Sequence, residues 1–141
     1  MATTATVTLS SDIFSGFSGY SKTMTMYKDG SLVDIDSSTG FSKRKLASTT
    51  KVDLITMANE LVEPLDNTGA KVYIKHTGNG KGVFDKSVGV TVLINSVEIG
   101  VLYGGDWLLM PVAVVDAEDI EVQPGSDATV VLEYVMFYEE A

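Results

Sequence analysis

Cysteine is absent from this 141-residue chain, and that absence removes disulfides, thiolate catalysis, zinc fingers and iron–sulfur centres together. Stability must then come from packing or from assembly. Basic residues are scarce too: ten lysines and arginines face nineteen acids, a formal charge of −9, which repels polyanions. The one basic cluster, Lys43-Arg44-Lys45, is too short to follow a nucleic-acid backbone. It suits a solvated loop or an edge strand, where lysines deter unwanted pairing, or else a docking patch for an acidic neighbour. Nucleic acid is not an expected partner. No apolar run approaches the ~20 residues of a membrane helix, so no membrane partner is expected either. The first residues, MATTATVTLSSD, show neither the basic start nor the apolar run of a signal peptide, and the chain reads as one made and retained in a cytoplasm.

What remains is sufficient for one globular domain. A chain of this length buries roughly 68–70% of its unfolded surface, and 45% hydrophobic against 21% charged residues fits an ordinary core and disfavours disorder. Mean hydropathy is slightly positive at +0.18, so some apolar surface is expected to serve partners.

Short runs rich in Val, Ile, Thr and Tyr recur between Gly, Asn, Asp, Ser and Pro, the pattern of strands and turns. Residues 4–9 form the first expected strand. Residues 10–20 follow neither period and read as an irregular arm, with Phe14, Phe17 and Tyr20 as its anchoring side chains. Residues 21–28 and 31–35 flank Asp29-Gly30, a dipeptide suited to a tight hairpin turn, so a hairpin is expected there. Its Met24 and Met26 share one face and either cover a sheet or give an adaptable contact with another subunit. Strands are expected over residues 41–47 and 50–56, and one helical turn over 57–62 before Pro64 stops it.

From Lys71 the alternation strengthens. Val72 and Ile74, then Val88, Val90, Val92 and Ile94, read as core strands, and Asn95-Ser96 turns the chain into Val97, Ile99, Val101 and Tyr103, which share a face by period. Gly104-Gly105 turns it again, toward residues 107–111, 112–115 and 120–122. Residues 129–138 are apolar on both faces except at Glu133. Such a strand lies in the middle of a two-layer sandwich or beneath a neighbouring chain, so Tyr134, Met136 and Tyr138 join the candidate interface residues. The expected fold is an all-β antiparallel sandwich, jelly-roll or immunoglobulin-like. Residues 1–48 are assigned to an N-terminal arm and accessory hairpin, and 49–141 to the sandwich core, the two being compatible with one continuous domain.

Chemistry is sparse. His76, the single histidine, ends a predicted strand with no nucleophile motif beside it, so no catalytic residue is assigned and an enzyme is not expected. The segment 78–82, GNGKG, superficially resembles a phosphate loop but lacks its spacing and its following helix. Asp116, Glu118, Asp119 and Glu121 offer oxygen ligands without the EF-hand order; they read as a solvated face, with a calcium-dependent module as the rival, and no metal or cofactor is assigned. Tyr103 and Trp107 bracket Gly104-Gly105-Asp106 and either fill the end of the sandwich, enter a subunit interface or form a stacking platform for a sugar ring.

The segments KVYIKHTGN, VTVLINSVEIGVLYGGDWLLMPV, DIEVQPGS and VVLEYVMFYEE, with TGFSKRKLASTTKVDL before them, resemble small β-rich virion proteins of tailed bacteriophages. The resemblance implies a non-enzymatic structural part: a capsid decoration, or cement, protein on the virion surface. It would be made in the host cytoplasm, assemble as a homo-oligomer, favourably a trimer, and bind the major capsid protein or other virion proteins. The alternative is a carbohydrate- or receptor-binding module of a tail or fibre.

Overall fold

The computed structural model describes residues 2–10, 19–27, 30–35, 37–57, 69–79, 88–113 and 119–138. All eleven regular elements among them are strands: β1 (Thr4–Leu9), β2 (Tyr20–Thr25), β3 (Ser37–Ser38), β4 (Ser42–Leu46), β5 (Val52–Ile55), β6 (Gly69–Asn79), β7 (Val90–Ile94), β8 (Val97–Leu102), β9 (Trp107–Ala113), β10 (Ile120–Pro124) and β11 (Val130–Tyr138).

The innermost hairpin starts from local chemistry. Asn95 and Ser96 both take positive φ, 48° and 62°, the backbone of a two-residue turn matched to the twist of its strands. Around that turn the chain pairs in nested fashion, β7 with β8, β6 with β9, β5 with β10 and β4 with β11, every pair antiparallel. Two further pairings, β7 with β10 and β6 with β11, roll this long double ribbon into two sheets of order β5-β10-β7-β8 and β4-β11-β6-β9. That topology is a jelly roll, and the immunoglobulin-like alternative falls away.

Alternation along the strands supplies the core between the sheets. Val72, Ile74, Val90, Val92, Ile120, Val122, Val130, Leu132 and Met136 are almost wholly buried in one cluster that draws on both sheets. Pro111 sits in β9, an edge strand of its sheet among the described residues, a position where the missing N–H of proline is tolerated.

Two assignments change. Residues 37–46, grouped above with the N-terminal arm, belong to the sandwich: β3 and β4 line the same edge of β11, and Leu46 is part of the core. The interruption between them is bridged by Thr39, whose backbone N–H donates to Met136 O at 2.9 Å while its hydroxyl accepts the Met136 N–H at 3.0 Å. Gly40, at φ 73°, allows the kink. The expected hairpin around Asp29-Gly30 is also much shorter among the described residues, with Asp29 itself outside them. β2 pairs back with β1 over six residues, from Thr4↔Thr25 to Leu9↔Tyr20, and among the described residues the later turn shows a single bridge, Tyr27↔Asp34, with an Ile35 N–H to Met26 O bond. Cross-strand hydroxyl pairs, Thr6 with Thr23 at 2.7 Å and Thr8 with Ser21 at 3.1 Å, favour the long-range partner. Beyond Met57, the expected helical turn lies outside the described residues.

Candidate binding surfaces

Register builds the outward face of the β4-β11-β6-β9 sheet row by row. One row reads Lys43, Glu133, Lys75, Trp107 across the four strands. The next reads Val135, Tyr73, Leu109, with Phe41 against Tyr73 edge to face at a ring separation of 6.1 Å. The β1–β2 hairpin lies over part of this face. Thr4 to Val7 and Met26 form one wall of an open cleft of about 440 Å³ whose opposite wall is Glu133, Lys75 and Trp107 of the first row, the second row, Phe41 and Phe137. Val135 is 1% exposed although it points away from the core, because the hairpin covers it. Trp107 and Phe41 stay 51% and 68% exposed at the margins.

The electrostatics of the cleft are mixed. Glu133 lies 3.9 Å from the Lys43 ammonium, and burial together with the Glu133 charge holds the Tyr73 hydroxyl above the ordinary tyrosine range. Tyr73 is therefore a standing hydrogen-bond donor. Lys75 lines the same cleft, so both signs of charge are present beside four aromatic rings.

A second surface follows the edge of the other sheet. β8 pairs with β7 on one side, and no strand among the described residues pairs with its other edge. A register shift at Val92/Leu93 sets Glu98 opposite Leu93 and Gly100 opposite Val92, leaving Ile99 as a bulge that interrupts the strict alternation expected across 97–103. Val97, Ile99, Val101 and Tyr103 are all exposed.

Several residues singled out by sequence fall elsewhere. Tyr134, Met136 and Tyr138 face the sandwich interior, Met136 wholly buried and both tyrosines packed on the core; their strand is apolar on both faces because it is central and its outer side is covered by the hairpin. Met26 is buried, whereas Met24 and Tyr20 are exposed on β2. Phe14 and Phe17 lie outside the described residues, as do residues 80–82, Asp116 and Glu118. Tyr103 and Trp107 do not form one platform: Tyr103 lies outward from β8 against Gly89, and Trp107 outward from the opposite sheet.

Glu121 is 6% exposed, contrary to the expected solvated face. Its carboxylate accepts the Ser96 N–H at 2.8 Å and meets the Lys51 ammonium at 2.6 Å, bracing the β7–β8 turn. The Lys51 hydrogen bond, joined by Ser96 and opposed by burial, lowers its pKa below the ordinary glutamate value. His76 is fully buried, donating from Nε2 to Val88 O at 3.0 Å and accepting the Gly78 N–H at Nδ1, also 3.0 Å. Both ring nitrogens are consumed by structure. Among the described residues, no group of three or more His, Asp or Glu is placed to hold a metal ion.

The row Lys43, Glu133, Lys75, Trp107 is not legible in the sequence because its members are far apart in the chain. The outward parity of Lys71, Tyr73 and Lys75 was the available signal.

No family model matches the chain, and no curated protein does. Among solved structures, a protein described in the words "Bacillus endospore appendages form a novel family of disulfide-linked pili" is similar at 17% identity with a TM-score of 0.39, over 79% of this chain and 97% of that one.

Proposed function

We propose that this protein is a structural component of a bacteriophage virion, a decoration protein that binds the major capsid lattice, with a homotrimer as the assembling unit. The observation that carries the reading is the β8 edge: its outer side has no partner strand among the described residues, and Val97, Ile99, Val101 and Tyr103 are exposed along it. A monomer at rest gains nothing from such an edge, which invites added strands or apolar partners. Leu9, Tyr20 and Met24, exposed on the β1–β2 hairpin, supply a second adhesive surface, and the net negative charge suits contact with protein in preference to packaged nucleic acid. The jelly roll is compatible with this use, being common to viral shell and lectin domains, but a fold alone does not assign function.

The test is the copy number and position of the protein in purified particles, by quantitative mass spectrometry and electron microscopy. Copies in lattice proportion on the shell support the reading. A few copies confined to the tail favour receptor binding, and absence from particles overturns both.

A further inference from the structure

We propose that the cleft between the β1–β2 hairpin and the outer face of β11, β6 and β9 is a binding site for a neutral saccharide, with Trp107 as the stacking platform and Lys75 and Glu133 as the hydroxyl-binding groups. The site is separate from the β8 edge.

Its size, about 440 Å³, lies within the range of small-molecule pockets. Trp107, Lys75 and Glu133 stand in one cross-strand row, and with neighbouring strands ~4.7–4.9 Å apart the row from Trp107 to Glu133 spans roughly 10 Å. That is the scale of one to two pyranose rings. A sugar laid with its C–H face on the half-exposed indole therefore brings its hydroxyls over an ammonium donor and a carboxylate acceptor. The raised Tyr73 hydroxyl adds a donor beside them.

Other ligand classes fit less well. Anions meet a chain of net charge −9 and the Glu133 carboxylate. Cations meet Lys75. A wholly apolar ligand would strip water from both charged groups without replacing it. A neutral polyhydroxylated molecule satisfies donor and acceptor together and uses the aromatic surface as well.

Trp107 is the only tryptophan in the sequence, so its emission reports this site alone. The experiment titrates the full chain with cellobiose, maltose, lactose and N,N′-diacetylchitobiose, following emission and, separately, heat by calorimetry. A saturable change in emission with at least one sugar is expected, weakened about tenfold or more by Trp107→Ala in the calorimeter and severalfold by Glu133→Gln. Thermal melts of both variants are expected to match the parent, since Trp107 is half exposed and Glu133→Gln keeps its shape. No saturable signal with any of the four sugars, or an unchanged calorimetric affinity in Trp107→Ala, overturns the proposal.

Discussion

Gly89 lies beneath the ring of Tyr103: a β-carbon built on Gly89 would stand 3.0 Å from Cε1 and Cζ of that ring and 2.8 Å from Cγ1 of Val101. The glycine is required by space, with aromatic carbon covering the gap its missing side chain leaves. Gly89→Ala must push both neighbours outward. Overpacking costs about 1–3 kcal/mol, offset by ~0.4–1 kcal/mol from the less flexible unfolded chain. A net loss near 1 kcal/mol is expected in urea unfolding, and Val101→Ala in the same chain should recover most of it.

His76 serves two buried backbone groups. His76→Ala leaves Val88 O and the Gly78 N–H without their partner, at about 1–3 kcal/mol each. A combined loss of about 2–6 kcal/mol is expected by chemical denaturation. His76→Gln, which keeps a donor and an acceptor, should lose clearly less; equal losses would mean that packing, not hydrogen bonding, holds this position.

Glu121 links stability to acid. Its pKa is lower in the folded chain than in the unfolded one, so the unfolded chain takes up the proton first and stability falls as the medium is acidified. The contribution is complete above the ordinary glutamate range and disappears as pH drops through the lowered folded value. Melts from about pH 7 to about pH 3 should show the parent more stable than Glu121→Gln at the upper end, with the gap closing toward the lower. A gap that stays constant would contradict the linkage.

Thr39 spans the break between β3 and β4. Thr39→Val removes the hydroxyl that accepts the Met136 N–H, with an expected cost of about 1–3 kcal/mol for the part-buried group left unpaired. Thr39→Ser restores the acceptor and should recover stability in the same denaturation assay.

The β8 edge can be blocked without harm to the core. Ile99 is exposed and has no opposite residue in the pairing of β8 with β7, so Ile99→Lys should leave the melting temperature within a few degrees of the parent. The same change should strongly reduce recovery of the protein on shells, scored by co-sedimentation with particles that lack it. Undiminished binding would move the docking surface elsewhere.

Strand rhythm made most of the sandwich legible. From β5 to β11 the two-residue period has a physical cause, one face on the shared core, and the Asn95-Ser96 turn announces its hairpin through two residues tolerant of positive φ. The N-terminal pairing was not legible in the same way. Asp29-Gly30 is a strong local signal, but β2 finds more hydrogen bonds with β1, and local turn chemistry does not report on distant partners. The candidate interface residues of β11 were misplaced for a related reason. Tyr134, Met136 and Tyr138 share a face by period, yet Val135 and Phe137 are apolar too, and only knowledge that the hairpin covers the outer side tells core from cover. The cleft is half visible in the sequence: Trp107 stands out there, but its partners Lys75 and Glu133 come from β6 and β11, and its neighbour along the chain, Tyr103, is sent by the two-sheet topology to the opposite face.

The nested pairing also determines when the molecule can become itself during synthesis. Leu46 pairs with Val130 and Ser42 with Tyr134, and β11 lies between β4 and β6. The ribosome therefore delivers the middle strand of this sheet after all its neighbours. Until β11 emerges, β4 and β6 have no common partner, and their apolar inner faces wait for one. Local contacts around Asn95-Ser96 can form early, but closure of the roll depends on contacts distant in sequence, which fold slowly. A nascent chain that stalls before residue 130 is consequently an open sheet, the form most exposed to chaperones and to aggregation.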